Sequence, residues 1–226
     1  MQIRGKPLDL ANETKPHSRR FEMARSRHSF LSRCLAGHRP HGQQPLQTAE
    51  YFSYFSIQGT LIAAAMLAYA GWFAWNGTPE KKWVTIARVS TTTYILVIAL
   101  VYNALLRGTP GDVRDAGYEW PVIPNEIIHV WAAVILLLDW LIFAGYTKLR
   151  LRAALWVAAY PLAWLAFSIT RGIVDGWWAY WFLNPNDEGG LNGMFTYIGG
   201  ITVLMISLGF VLLAIRKLIT KLVYKL

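Results

Sequence analysis

The 226-residue chain holds a single cysteine, Cys34, and beyond position 48 a single histidine, His129. One thiol excludes an intrachain disulfide, a CxxC redox pair and a cysteine-based metal site. His17, His28, His38 and His41 all lie ahead of position 48. A bis-histidine haem or a histidine zinc site in the apolar part is therefore excluded within one chain, and neither metal nor cofactor is expected. There is also no GxSxG elbow, no HExxH, no P-loop and no glycine fingerprint of dinucleotide sites. Acidic residues are scarce, 13 against 22 Lys and Arg, for a formal charge of +9. Spread over a compact domain, that balance would suggest a nucleic-acid partner. It is not spread: residues 1–48 hold nine Lys and Arg against three acids, and residues 49–226 hold thirteen against ten. The charge is mostly a tail plus helix-end anchors, and no nucleic acid is expected.

What the chain has in abundance is apolar surface: 54% of its residues are hydrophobic, 14% are aromatic, and the mean hydropathy is +0.30. A soluble domain of this composition has too little polar surface, so the solvent implied is lipid. Residues 1–48 show no sustained apolar period and read as a disordered basic tail without a secretory-type apolar core. Residues 49–226 read as one bundle with spans at about 51–75, 83–106, 124–146, 151–172 and 193–215, each 22 to 25 residues long. At ~1.5 Å per residue each is long enough for ~30 Å of hydrocarbon. Backbone groups facing lipid must be satisfied within the segment, so the fold class is all-α, a multipass transmembrane helix bundle. Trp72, Trp75, Trp83, Tyr102, Tyr146, Trp156, Trp177 and Trp178 fall near span ends and read as an interfacial belt. Pro161 should kink the fourth span.

Lys and Arg set the orientation. Lys81, Lys82, Arg88, Lys148, Arg150, Arg152, Arg216, Lys217, Lys221 and Lys225 fall on one side, against Arg107, Arg114 and Arg171 on the other. The expected location is the cell membrane with a cytoplasmic C-terminus. Five crossings then put the basic tail on the outer face. That conflict disappears if one more helix precedes Tyr51, or if the tail is not the natural N-terminus.

Ionisable groups inside a bilayer cost several kcal/mol unless paired or facing a cavity. Ser56, His129, Asn103 and Arg171 come from four spans yet share one outer layer by helix rise. Asn125 and Glu126 stand four and three residues before His129 and can share its face. One reading is nucleophilic: a Ser56 hydroxyl deprotonated by His129, with Gln58, Asn103, Asn125, Glu126 and Arg171 as the supporting polar layer that orients the base or stabilises an oxyanion. The other is structural. A membrane-helix serine commonly bonds its own carbonyl four residues back, and Ser53, Ser56 and Thr60 have the spacing of a small-residue helix contact. Asp139, deeper in the third span, reads as a structural or ion-paired acid with Arg88 as partner. The Gly176–Phe182 aromatic run is either an interfacial anchor or a lid over the polar layer.

Several ordered blocks carry a resemblance: Tyr54-Phe55-Ser56-Ile57-Gln58, Val101-Tyr102-Asn103-Ala104-Leu105-Leu106, Pro124-Asn125-Glu126-Ile127-Ile128-His129-Val130 with Leu138-Asp139-Trp140-Leu141, and Ala159-Tyr160-Pro161-Leu162-Ala163-Trp164 with Thr170-Arg171-Gly172. Across residues 50 to 215 the chain resembles six-helix bacterial membrane proteins found mainly in actinobacteria. These in turn look like distant relatives of the animal androgen-induced membrane protein family. The resemblance implies a hydrolase of fatty acid esters of hydroxy fatty acids, with a threonine nucleophile matching Ser56 and a histidine matching His129. The hydroxyl here is on serine, and the helix that precedes this motif in the family is missing, which suggests a truncated or misassigned start. The expected function is a bacterial membrane hydrolase of lipid or fatty-acid esters, with membrane lipids as partners. The alternatives are a small transporter with a polar stripe running through Thr91–Thr93 to Asp139, and a non-catalytic scaffold.

Overall fold

The computed structural model describes residues 48–109, 121–143, 147, 149–187 and 189–224, which form helices joined by turns, with no strand among them. The tail reading for 1–47 and the positions Arg114, Tyr146, Lys148 and Lys225 lie outside the described residues. A four-residue helix, α1 (Thr48–Tyr51), precedes α2 (Phe55–Trp75). Helix α3 runs Lys82–Val101 and continues through a π turn, Tyr102–Leu106. Helix α4 comprises Val122–Glu126, a π turn Ile127–Trp131, and Ala132–Phe143. Helix α5 begins as a 3-10 stretch, Leu151–Ala158, and becomes α-helical over Ala159–Asp175; α6 is Gly190–Tyr224. Among the described residues five helices are long and apolar enough to cross a membrane: Phe55–Trp75, Lys82–Leu106, Val122–Phe143, Leu151–Asp175 and Gly190–Leu222.

Helix α3 is the axis of the bundle, packing against α2, α4, α5 and α6. Of its apolar window 67% is buried, against 17–28% for the other four, whose outer faces are left for lipid. A helix largely surrounded by helices keeps little outer face, and Ser90 and Thr91–Thr93 fall on its buried stretch. The Thr91 hydroxyl returns to the carbonyls of Ala87 and Arg88 at 3.0 and 3.1 Å, and that of Thr93 to Val89 at 2.7 Å. These are bonds to α3's own backbone rather than a polar path between sites.

At the end of the bundle where α3 starts, Arg88 is 5% exposed and forks between two carboxylates. Its Nη2 meets Asp139 Oδ2 at 2.6 Å and its Nη1 meets Glu80 Oε2 at 2.6 Å, with a further bond to the Phe143 carbonyl at 3.2 Å. Asp139 is thus ion-paired with Arg88, and Glu80 joins them from the α2–α3 connection, its carbonyl accepting from Thr147 Oγ1 at 2.8 Å. Helices α5 and α6 meet at Gly209, where a Cβ would lie 3.0 Å from Val157 Cγ1 and 3.5 Å from the Ala154 carbonyl. Small-residue contacts of this kind let helix backbones approach closely.

Two local expectations are corrected. The first long helix starts at Phe55 rather than 51, because the chain turns at Phe52–Tyr54. There the Ser53 carbonyl accepts from Trp164 Nε1 at 2.9 Å, its hydroxyl donates to Ala49 O at 2.6 Å and accepts from Arg171 Nη1 at 3.0 Å. Ser53 is therefore not on one helix face with Ser56 and Thr60. Secondly, Trp177 and Trp178 are not interfacial anchors: both are buried, Trp177 completely. Gly176 ends α5 in the left-handed conformation (φ 73°), and the chain folds back so that the Trp178 ring lies on Gly172, where any Cβ would overlap it. Trp72, Trp75, Trp83 and Trp156 are exposed. The 3-10 stretch of α5 gives way to α-helix two residues before Pro161, which has no N–H to donate to the preceding turn.

Candidate functional site

At the opposite end from Arg88, helices α2 to α6 and the chain after α5 line a partly open cavity of about 110 Å³. Ser56 and His129 both line it, each 8% exposed, and with Tyr180 they supply polar atoms to walls that are otherwise largely aliphatic and aromatic. Ser56 sits in the first turn of α2, closer to the helix start than a span beginning at 51 implies, whereas His129 lies two turns into α4. Among the described residues no hydrogen bond joins the two.

His129 is held on three sides. Its Nδ1 is 2.9 Å from the Asn125 carbonyl, which only accepts, so Nδ1 carries the proton and Nε2 keeps its lone pair. Its ring stacks on Tyr102 with centroids 3.9 Å apart and planes 16° apart. Its carbonyl accepts weakly from Asn103 Nδ2 at 3.4 Å. The Tyr102 hydroxyl is fixed in turn by Asn125 Nδ2 at 2.5 Å.

Ser56 is held by Tyr180. The Ser56 N–H donates to Tyr180 Oη at 3.3 Å, and the Ser56 hydroxyl and the Phe55 N–H reach the same oxygen. Tyr180 therefore caps the start of α2, where backbone N–H groups have no partner within the helix. Burial pushes its phenol up to about 12, against the pull of those bonds from Ser56 and Phe55. It stays a neutral hydroxyl, able to donate, at any ordinary pH.

The five supporting residues stand elsewhere, for none of Gln58, Asn103, Asn125, Glu126 and Arg171 lines the cavity. Gln58 Nε2 donates to the Phe52 carbonyl at 2.7 Å while its Oε1 accepts from Tyr160 at 2.7 Å. Asn103 bonds Ala99 O and accepts from Arg107 Nε, both at 2.8 Å. Glu126 is paired with Arg107 at 2.6 and 3.0 Å, and Arg171 with Asp175 at 2.8 Å while lying over the Trp177 ring at 4.4 Å. Asn125 does orient the base, through its main-chain carbonyl rather than its amide. The polar layer thus ties helices together, and only Ser56 and His129 of the expected set face the cavity.

Two contributors were not singled out from the sequence. Tyr102 looks like a belt residue because it falls near a span end. Tyr180 belongs to the Gly176–Phe182 run: Tyr180 and Phe182, with Leu183, form one wall of the cavity. Between this wall and Asp139 the lining is Val97, Ile98, Val101 and Met205, with no acid among them. No protein-family model, curated protein or solved structure matches the chain.

Proposed function

We propose that this chain is a bacterial multipass integral membrane protein, its C-terminus cytoplasmic, that hydrolyses lipid or fatty-acid esters at Ser56 and His129. The observation carrying the reading is that a hydroxyl from α2 and an imidazole from α4 line one apolar cavity, the imidazole with its Nδ1 already engaged. The resemblance to the six-helix actinobacterial group, and through it to the animal androgen-induced family, points to the same pair of residues. Ser56 Oγ attacks the ester carbonyl as His129 Nε2 takes its proton. The developing oxyanion accepts from the Tyr180 hydroxyl, whose own oxygen is held by the first N–H groups of α2. His129 returns the proton to the leaving alcohol, and a water activated by the same nitrogen releases the acid from the acyl-serine. That no hydrogen bond among the described residues joins Ser56 and His129 suits a resting site, since catalytic hydrogen bonds often tighten only with substrate bound.

Labelling with a fluorophosphonate probe in native membranes tests this. A covalent adduct on Ser56 that survives Ser53→Ala and disappears in Ser56→Ala is the expected result; an adduct lost in Ser53→Ala and kept in Ser56→Ala removes the assignment. The scaffold reading has its own support in the way Gln58, Asn103 and Arg171 are bonded between segments. It predicts that His129→Leu lowers stability while ester turnover per folded molecule is unchanged.

A further inference from the structure

The cavity has one wall missing. Helices α5 and α6 pack tightly along Leu151–Ala158, with Gly209 against Val157 and Ala154, but Ala159–Asp175 and α6 are no longer neighbours along their length. Helix α5 turns from 3-10 to α-helical at Ala159, where its close contact with α6 ends. On the α6-facing flank of that half, Leu162 lines the cavity yet is 57% exposed, so it stands on a rim. Facing it, Ile198, Ile201 and Thr202 line the cavity and are only half-buried, while Met205, below them, is buried. A Cβ on Gly199 or Gly200 would meet nothing within 4 Å.

The end of the cavity is closed by contrast. Phe182 and Leu183 are buried, Tyr180 stacks on Phe182 with centroids 5.2 Å apart, and Trp181 packs edge-on against Tyr197 of α6 at 5.1 Å. The aromatic run therefore covers the cavity where the bundle ends, and the gap that remains faces sideways, between two helices whose outer surfaces are apolar.

We propose that this gap is a lateral portal through which one unbranched acyl chain of an ester dissolved in the bilayer enters and lies along α3. Its carbonyl then rests at Ser56 and His129, a placement that depends on the hydrolase reading above. The lining along α3 runs from Leu106 to Val97, roughly 14 Å at the rise of a helix. That matches one leaflet of hydrocarbon, about 15 Å or half the thickness of a bilayer core. Hydrogen-bonding atoms cluster at the Tyr180 end, and Val97, Ile98 and Met205 form the other. An amphipathic ester fits this polarity in one direction only, head toward Tyr180 and chain toward Met205. A chain held this way stays at the depth it has in the membrane, so sideways transfer costs little desolvation.

Photo-crosslinking tests the portal. The full chain and its Ser56→Ala variant are reconstituted in phosphatidylcholine vesicles with a diazirine-bearing analogue of methyl palmitate, and adducts are mapped by mass spectrometry. Adducts on Val97, Ile98 and Met205 are expected in both proteins, with their loss in Ile201→Trp and in Leu162→Trp, which fill the gap from either side. Two plugging variants guard against one that fails to fold, read by its elution as a single species. Adducts confined to the lipid-facing Phe195, Val203 and Val211, or cavity adducts unchanged by both plugs, overturn the portal. Cavity adducts blocked by the plugs, in a protein whose Ser56 takes no fluorophosphonate, support the portal and remove the hydrolase reading.

Discussion

Replacing Arg88 by methionine should destabilise the bundle by about 3–5 kcal/mol, the usual cost of removing one partner from a buried ion pair. The guanidinium is 6% exposed, and the side chains it separates, Glu80 and Asp139, are 14% and 22% exposed, each 2.6 Å away. Removing it leaves two largely dehydrated carboxylates side by side and an unpaired carbonyl at Phe143. Their residual exposure places the cost toward the lower part of that range, since partly hydrated charges are screened. Lysine should recover only part of the loss, because one ammonium cannot reproduce a fork reaching two carboxylates from separate nitrogens. Arg216 limits the loss. It is buried over the Trp140 ring at 5.1 Å, its Nη1 and Nη2 have no hydrogen-bond partner among the described residues, and it lies within electrostatic reach of Glu80. Arg88→Met/Arg216→Met should therefore lose more than the sum of the single variants. Unfolding of the purified protein by sodium dodecyl sulfate, followed by tryptophan fluorescence, measures all of these. A loss below about 1 kcal/mol for Arg88→Met, the scale of a surface pair, would refute the account. So would failure of the triple change Glu80→Gln, Arg88→Met, Asp139→Leu to regain stability over Arg88→Met, since neutralising the whole cluster removes the stranded charges.

His129→Gln should slow fluorophosphonate labelling of Ser56 by about 10²–10⁴, the range of a general base, with little change in the unfolding midpoint; labelling at the wild-type rate would exclude His129 as base. Tyr180→Phe should cost about 10²–10³ in ester turnover if its hydroxyl serves the oxyanion, and about 1 kcal/mol of stability from the lost cap on α2. A turnover unchanged within error would leave Tyr180 a cap alone. With its phenol at about 12, Tyr180 should contribute no limb to the pH–rate profile across the neutral and mildly alkaline range. Alanine at Gly172 should lower stability although helix propensity alone favours it by up to ~1 kcal/mol, because the new Cβ overlaps the Trp178 ring. Alanine at Gly200, where nothing lies within 4 Å, should raise it, and the opposite pair of signs in the same unfolding titration would contradict the packing described.

The long helices were legible because an apolar run of more than twenty residues has few other solutions, and the Arg88–Asp139 pair because two opposite charges inside such runs must find each other. The start of α2 was not. Tyr51 to Tyr54 contain no glycine, proline or charge, and the break there is made by Trp164 and Arg171, more than a hundred residues away. Trp177 and Trp178 illustrate the same limit. Next to a helix end they have the composition of a membrane anchor, and only the absent side chain of Gly172 lets Trp178 fold inward. Ser56 and His129 were recognisable by their polarity, but the residue that touches Ser56 is Tyr180, 124 positions later in a segment with no periodicity to place it. Periodicity finds elements and polarity finds candidates. Contact between candidates is a property of the closed bundle.

Two π turns, in α3 and in α4, stand at the level of the site. Single π turns in α-helices are uncommon and tend to mark functional positions. Here Tyr102–Leu106 and Ile127–Trp131 face each other, and Arg107 N–H bonds Tyr102 O at 2.7 Å while Ala132 N–H bonds Ile127 O, each five residues back. If these turns existed to bury apolar side chains at their own level, fully buried apolar residues should lie within them. They do not: no residue of Tyr102–Leu106 is buried and the one buried residue of Ile127–Trp131 is His129 itself, whereas Ala133, Leu136 and Trp140 are buried in the regular helix that follows. Asn125 O, which an unbroken α-helix offers to the N–H four residues on, accepts the ring nitrogen of that same residue, while the displaced Tyr102 presents its ring to the other face of the imidazole. What the irregular backbone accomplishes at this level is the fixing of one imidazole, its Nδ1 held on the Asn125 carbonyl and its ring on Tyr102, in the wall of the cavity.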